Sequence, residues 1–281
     1  MDNQQKVWYI TGASKGLGLS LVKQLLAAGI KVAATSRSLE DLRKAVGAEN
    51  PDFLPLSVDL KDEASVKQSV EATIKAFGQI DVVVNNAGYG LLGSLEELSD
   101  QESRDNFEIN VFGMLNVIRN VMPQMRAQQS GHIFNISSIG GFYGAFPGFG
   151  IYCATKFAVA GLSESLAAEA KAFGINVTVV LPGYFRTNFL SSGSLSVPQH
   201  PLDAYADVRE SQKAHQDAIN GSQPGDPEKA VAVIIVAASA EHPPVNLFLG
   251  ADAYAMADQK IISVQKDLDQ WETLATSTNI D

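Results

Sequence analysis

Seven short apolar runs recur along the chain: KVWYIT (6–11), KVAATS (31–36), FLPLSV (53–58), IDVVVNN (80–86), HIFNIS (132–137), INVTVVL (175–181) and VNLFLG (245–250). They are rich in β-branched residues and nearly continuous in their apolar character, as strands buried on both faces must be. Helical periodicity fills the intervals and predicts helices over 16–28, 62–77, 99–128, 152–173 and 252–273. Gly29 is a stop for the first of these. Asp226, Pro227 and Glu228 start another helix, with a capping side chain and a proline in the first turn. Strand and helix alternating this often predict an α/β fold, a doubly wound parallel sheet of about seven strands with helices on both faces. No linker or low-complexity stretch divides residues 1–281, so one domain is expected. The stretch 184–225 departs from the alternation. Its ends are rich in Ser, Pro and Gly, and it should lie at the carboxyl edge of the sheet, where ligands bind. It is read as a substrate lid.

The first strand runs into TGASKGLG (11–18). Glycine permits positive φ and lets backbone approach a ligand, and the helix that follows aims its free N–H groups at the turn. Gly12, Ser14, Lys15, Gly16, Leu17 and Gly18 are therefore candidate contacts to the pyrophosphate of a dinucleotide, on a Rossmann-type sheet. An acid about 20 positions further on would hold the ribose hydroxyls of NAD. Here that place is taken by Ser36 and Arg37. A hydroxyl and a guanidinium suit a 2′-phosphate, which a carboxylate would repel, and Lys15 adds a second cation. This favours NADP(H), against the plainer reading of two solvated surface charges.

YCATK (152–156) places Tyr152 and Lys156 four residues apart, on one helix face. A phenol with pKa near ~10 is a poor acid or base at neutral pH. A fixed ammonium beside it favours the phenolate and lowers that pKa, which fits it for proton exchange with a carbonyl or alcohol. The spacing alone proves little: Tyr205 and Arg209 share it and are read as a surface pair.

These motifs, with NNAG (85–88), the Asn of EINVFG, NISSIGG (135–141) and LPGYFRT (181–187), resemble the short-chain dehydrogenase/reductase family over roughly residues 6–190. The resemblance implies hydride transfer between a nicotinamide and a carbonyl or alcohol, with Tyr152 as proton donor, Lys156 tuning the phenol and gripping the ribose, Ser138 orienting the substrate oxygen, and Asn110 holding a water in the proton relay. It also implies cofactor contacts from Asp59 and Leu60 at the adenine, Asn86, Ala87 and Gly88 at the ribose, and Pro182, Gly183 and Thr187 at the nicotinamide. Ser138 lies 14 positions before Tyr152, where the family commonly has 13, so the intervening loop is expected to be one residue longer.

Three segments should meet above the nicotinamide: the uncharged loop 139–151 with Phe142, Phe146 and Phe149, the stretch 183–202 with Tyr184 and Phe189, and Tyr89 after the fourth strand. Such a lining suits an apolar ketone, aldehyde or secondary alcohol better than a phosphorylated or carboxylated metabolite. Aryl ketones, steroids, retinoids and aliphatic aldehydes all remain open, with steroid and retinol dehydrogenases as the nearest subgroup in character. Two other functions use the same features. One is a sensor that binds NADP without turnover, and such proteins typically lack the Tyr or Lys. The other is a sugar-nucleotide epimerase or dehydratase, whose relatives usually have a TGxxGxxG turn and a longer chain.

Composition narrows the setting. At net charge −10, clustered cations for nucleic acid or an anionic membrane surface are not expected. The longest uncharged apolar run, AVAVIIVAASA (230–240), is too short for the ~20 residues that span a bilayer. MDNQQKVW has no basic region followed by an apolar stretch, and the single cysteine, Cys153, forms no internal disulfide, so a reducing, cytoplasmic location is expected. His132, His200, His215 and His242 have no ligand spacing and are read as surface or loop residues, with no metal site. Small residues at Ala154, Ala158, Gly161, Ser165 and Ala168 could admit a second helix. The resemblance implies a homodimer or homotetramer, which a mass measurement in solution tests.

Overall fold

The computed structural model describes residues 6–47, 50–191 and 193–280. Seven strands form one parallel sheet in the order β3-β2-β1-β4-β6-β7-β9: β1 (Val7–Ile10), β2 (Lys31–Ser36), β3 (Phe53–Ser57), β4 (Val82–Asn85), β6 (Gly131–Ile136), β7 (Ile175–Pro182) and β9 (Asn246–Leu249). Two further strands, β5 (Gly90–Leu91) and β8 (Leu195–Ser196), pair only with each other. Pro55 is tolerated inside β3 because that strand is an edge and needs no donor on its outer side.

Side chains of period two divide the core. Tyr9, Val83, Ile133 and Val179 face α3 (Glu63–Phe77), α5 (Met114–Gln128) and α6 (Gly150–Ala170), while Trp8, Ile10, Val82, Val84 and Phe134 face α1 (Gly16–Ala27), α2 (Leu39–Val46) and α8 (Pro227–Ala237). Strand order reverses between β1 and β4, so a crevice opens at their carboxyl ends, as expected of a doubly wound sheet.

The predicted helix over 99–128 is three pieces: α4 (Asp100–Phe107), a π-helical turn over Glu108–Gly113, and α5. The wider turn holds Asn110, and such insertions are frequent at functional sites. α2 was not predicted. Its signals are nevertheless in the sequence: Leu39, Leu42 and Val46 fall at helical spacing, and Ser38 caps it by accepting from the Asp41 N–H at 3.1 Å. Within 184–225, α7 (Ala206–Lys213) continues as a second π-helical turn over Ala214–Ile219. α9 (Ala251–Thr276) starts against the sheet and leaves Ile261, Ile262, Leu268, Trp271 and Leu274 exposed. No helix among the described residues is long and apolar enough to cross a membrane.

Candidate active site

The turn between β1 and α1 has positive φ at Gly12 (66°) and Gly16 (58°), which glycine alone adopts without strain. A Cβ on Gly12 would also lie 2.7 Å from the Ala87 Cα, so the turn packs directly on the chain leaving β4. Asn86 fastens the two. Its side-chain amide donates to the Thr11 and Gly12 carbonyls at 3.0 and 2.9 Å, and the Asn86 and Ala87 N–H groups donate to Thr11 Oγ1 at 3.0 and 3.1 Å. Gly12, Ser14, Lys15, Gly16 and Leu17 line a crevice of about 1290 Å³, together with Ser36, Arg37, Asp59, Leu60, Asn86, Ala87 and Gly88. Gly18 does not line it. It faces the Asn86 amide and the Gly12 carbonyl, so its role is to let α1 pack under the turn rather than to touch a ligand.

Two cations meet at this end. Burial lowers the Lys15 pKa, and the charge of Arg37 lowers it further. Lys15 Nζ also donates to the Gly193 carbonyl at 2.6 Å, tying the glycine turn to the 184–225 segment. Asp59 closes its own turn, accepting from the Lys61 N–H at 3.0 Å, and the Leu60 carbonyl accepts from Asn116 Nδ2 at 2.7 Å.

At the other end, α6 presents Tyr152 and Lys156 on one face, both buried and both lining the crevice. Lys156 Nζ lies 5.7 Å from the centroid of the Tyr152 ring and donates to the Ile136 carbonyl at 2.9 Å. A Cβ on Gly88 would come within 3.0 Å of Asn110 Oδ1 and 3.5 Å of Lys156 Nζ, so a bare backbone position lies directly beside these two groups. Asn110 lies beneath the crevice wall. Its Oδ1 accepts from the Tyr89 N–H at 3.0 Å, and its Nδ2 donates to the Tyr89 carbonyl at 3.0 Å and to Thr155 Oγ1 at 3.1 Å. In this arrangement its side chain braces the loop after β4 against α6.

Ser138 caps a 3₁₀ turn over Ile139–Gly141 by accepting from the Gly140 N–H at 3.0 Å, and it also bonds to Tyr152. The long interval from Ser138 to Tyr152 is absorbed by this turn and by a second at Gly148, where φ is 84°. Pro182, Gly183 and Thr187 line the crevice after β7, and Tyr89, Phe146, Phe149, Tyr184 and Phe189 form its aromatic wall. Phe149 and Phe189 pack on Tyr152 with ring centroids 6.0 and 5.9 Å away.

The electrostatics differ from the expectation that the ammonium holds the phenol low. Burial dominates and pushes the Tyr152 pKa up, with the bond to Ser138 opposing it. Burial also brings Lys156 down to about 8. In a dry cavity each charged form loses more from desolvation than one cation at ring distance returns.

A family model described as short chain dehydrogenase matches residues 6–195. The chain belongs to the short-chain dehydrogenase family. It is an oxidoreductase on that ground and on its relatives. It is 35% identical to the oxidoreductase BOA17 of Botryotinia fuckeliana, across 97% of this chain and 99% of that protein. A 3-ketodihydrosphingosine reductase of Bacteroides thetaiotaomicron is 37% identical, across 88% of each. Among solved structures, a short-chain dehydrogenase from Streptomyces avermitilis superposes with a TM-score of 0.89 at 39% identity, covering 98% of this chain and 100% of that one. Two more distant structures have TM-scores of 0.73. A 3-ketoacyl-(acyl-carrier-protein) reductase from Brucella melitensis complexed with NADH is 25% identical over 87% of this chain and 96% of its own. ElxO with NADP bound is 26% identical over 89% and 99%.

Several details of this short-chain dehydrogenase depart from what its sequence led one to expect. Phe142 is not in the crevice. The capped 3₁₀ turn carries it past the site to Phe248 of β9, edge-on at 5.3 Å. Two of the four histidines are buried rather than on the surface. His132 stacks on Phe134 at 3.9 Å, bonds to Thr178 Oγ1 at 2.9 Å and is driven by burial to a pKa of about 3, a neutral core residue. His215 lines the crevice beside Tyr184, and nothing in its sequence spacing marks it. Tyr205 and Arg209 are not a free surface pair either. They reach Glu96 and the buried Glu97, whose carboxylate also accepts from the Leu202 N–H at 2.9 Å and the Ser94 N–H at 2.7 Å. Among the described residues no group of three or more His, Cys, Asp or Glu side chains is placed to hold a metal.

Proposed function

We propose that this oxidoreductase is an NADP(H)-dependent reductase of apolar ketones and aldehydes, working in reverse as a secondary-alcohol dehydrogenase. The observation that carries the reading is one continuous crevice. It holds a positive-φ glycine turn with two cations at one end, and the buried Tyr152–Lys156 pair under an aromatic wall at the other. The residues fit a nicotinamide dinucleotide. The turn at Gly12 has no space for a side chain, α1 has no acid in its first turn to repel a pyrophosphate, and Gly88 leaves backbone bare beside Lys156. Relatives with this fold hold NADH in one case and NADP in another.

Reducing a carbonyl requires a hydride and a proton, and the reduced nicotinamide supplies the hydride when bound. The chain's own residues handle the rest. The Tyr152 hydroxyl, neutral because it is buried, donates its proton to the substrate oxygen. Ser138 Oγ hydrogen-bonds the same oxygen and stabilises its growing charge. Lys156 places a cation beside the phenolate that is left, favouring it at the moment it forms. Phe149 and Phe189 exclude water, and the 184–225 segment acts as the lid, held to the glycine turn by Lys15.

Lys15 and Arg37 repel one another unless an anion lies between them, and a 2′-phosphate would relieve this. Arg37→Asp should therefore weaken NADPH binding about tenfold or more and strengthen NADH binding. Fluorescence titration of both cofactors checks this, and an unchanged preference would remove the NADP assignment. The reaction itself is tested by following NADPH oxidation against a panel of carbonyls. Turnover of aryl ketones or long aliphatic aldehydes is expected, and a preference for charged sugars or organic acids would overturn the substrate class.

A further inference from the structure

The lid brings one polar pair to the apolar half of the crevice. The Tyr184 hydroxyl lies 2.9 Å from His215 Nε2, and His215 Nδ1 lies 2.7 Å from the Ser211 carbonyl. A carbonyl oxygen only accepts, so Nδ1 carries the proton, and in the neutral ring Nε2 is left with a lone pair. The Tyr184 O–H then donates to Nε2. Its oxygen keeps its acceptor capacity and has no proton to offer a ligand.

The pair is held in place. The Tyr184 N–H donates to Asp252 Oδ2 at 2.6 Å, and the His215 ring packs edge-on against Phe149 at 4.8 Å. It is also near the reacting end. Phe149 touches Tyr152 on one side and His215 on the other, and Tyr184 adds, behind burial, to the upward push on the Tyr152 pKa. Both residues line the crevice, although His215 is itself largely buried, so the pair forms part of the wall that a ligand meets. A polar atom on an apolar wall costs binding energy to every ligand that leaves it unpaired.

We propose that Tyr184 and His215 form a second anchor, which selects carbonyl substrates bearing a hydroxyl or N–H group at a distance from the reacting carbon. This rests on the carbonyl-reductase reading above. A second carbonyl or a carboxylate at the same place would face a lone pair and be disfavoured.

The test uses aryl alkyl ketones of increasing chain length, each with and without a terminal hydroxyl, at one fixed pH. At one chain length the hydroxy ketone should exceed its deoxy partner about tenfold in kcat/KM, mainly through KM. Tyr184→Phe should bring that ratio close to one. His215→Gln, whose amide oxygen can replace Nε2 as acceptor, should keep part of the preference. Calorimetric affinities for the same pairs should follow the same order. A ratio of one in the unaltered enzyme at every length, or an unchanged ratio in Tyr184→Phe, overturns the anchor. If no ketone is turned over, the reductase reading fails instead, and the calorimetric ratio still decides the anchor.

Discussion

Replacing Tyr152 by Phe should reduce kcat by about three orders of magnitude while leaving NADPH affinity within about twofold. The ring makes the contacts with Phe149 and Phe189, and phenylalanine keeps them. What disappears is the hydroxyl, the group placed to exchange a proton with the substrate oxygen and bonded to Ser138. Stability should change little, because Ser138 lines the crevice and its hydroxyl can bond water in place of the phenol. Single-turnover kinetics separates loss of chemistry from loss of binding, and a melting curve rules out unfolding. Turnover near that of the unaltered enzyme would end the assignment of Tyr152 as proton donor, and with it the mechanism.

The parts of this molecule that were readable in sequence are those in which local chemistry and burial point the same way. β1 and β4 are buried along their whole length, and β2 and β7 nearly so, which leaves their runs almost continuously apolar. The glycine turn could be read because positive φ leaves few choices of residue. Tyr152 and Lys156 could be read because four residues of helix fix a shared face. What escaped depends on partners distant in sequence. The pairing of β5 with β8 joins Gly90 to Leu195 by two-residue strands with no pattern of their own. His215 becomes part of the crevice only because the 206–219 helix folds back on Tyr184, and Arg209 is recruited by Glu97 across more than a hundred residues. The π-helical turn at Asn110 escaped for a different reason. Helix runs on unbroken at both of its ends, and nothing in its residue spacing marks the wider turn. The inverted electrostatics of Tyr152 has the same root: the four-residue spacing shows that a cation is near and says nothing about how dry the site is.

Lys156→Met should abolish most activity and yet make the protein more stable at neutral pH. The ammonium is buried, and burial brings its pKa down to about 8 from 10.5. Between those values the unfolded chain holds the proton more tightly than the folded one. Stability therefore rises as the pH climbs from about 8 towards 10.5, and the penalty is present in full below 8. At 1.36 kcal/mol per pH unit, keeping the charge inside costs ~3 kcal/mol at pH 7. Methionine is close in length and uncharged, so it removes that cost. It leaves the Ile136 carbonyl without its 2.9 Å bond, which returns ~1 kcal/mol. The net gain of ~2 kcal/mol should raise Tm by roughly 3–4 °C at pH 7, and the gain should shrink steadily on titration through pH 8 to 10. Activity should fall at least ~100-fold, because no cation then favours the phenolate that forms at Tyr152. The two results bear on each other. A variant that is more stable and inactive shows that the folded state tolerates the lysine at a cost, for the sake of the chemistry. A variant that melts lower at pH 7, or whose advantage does not depend on pH, would show that Lys156 carries no buried-charge penalty and is a structural hydrogen-bond donor instead.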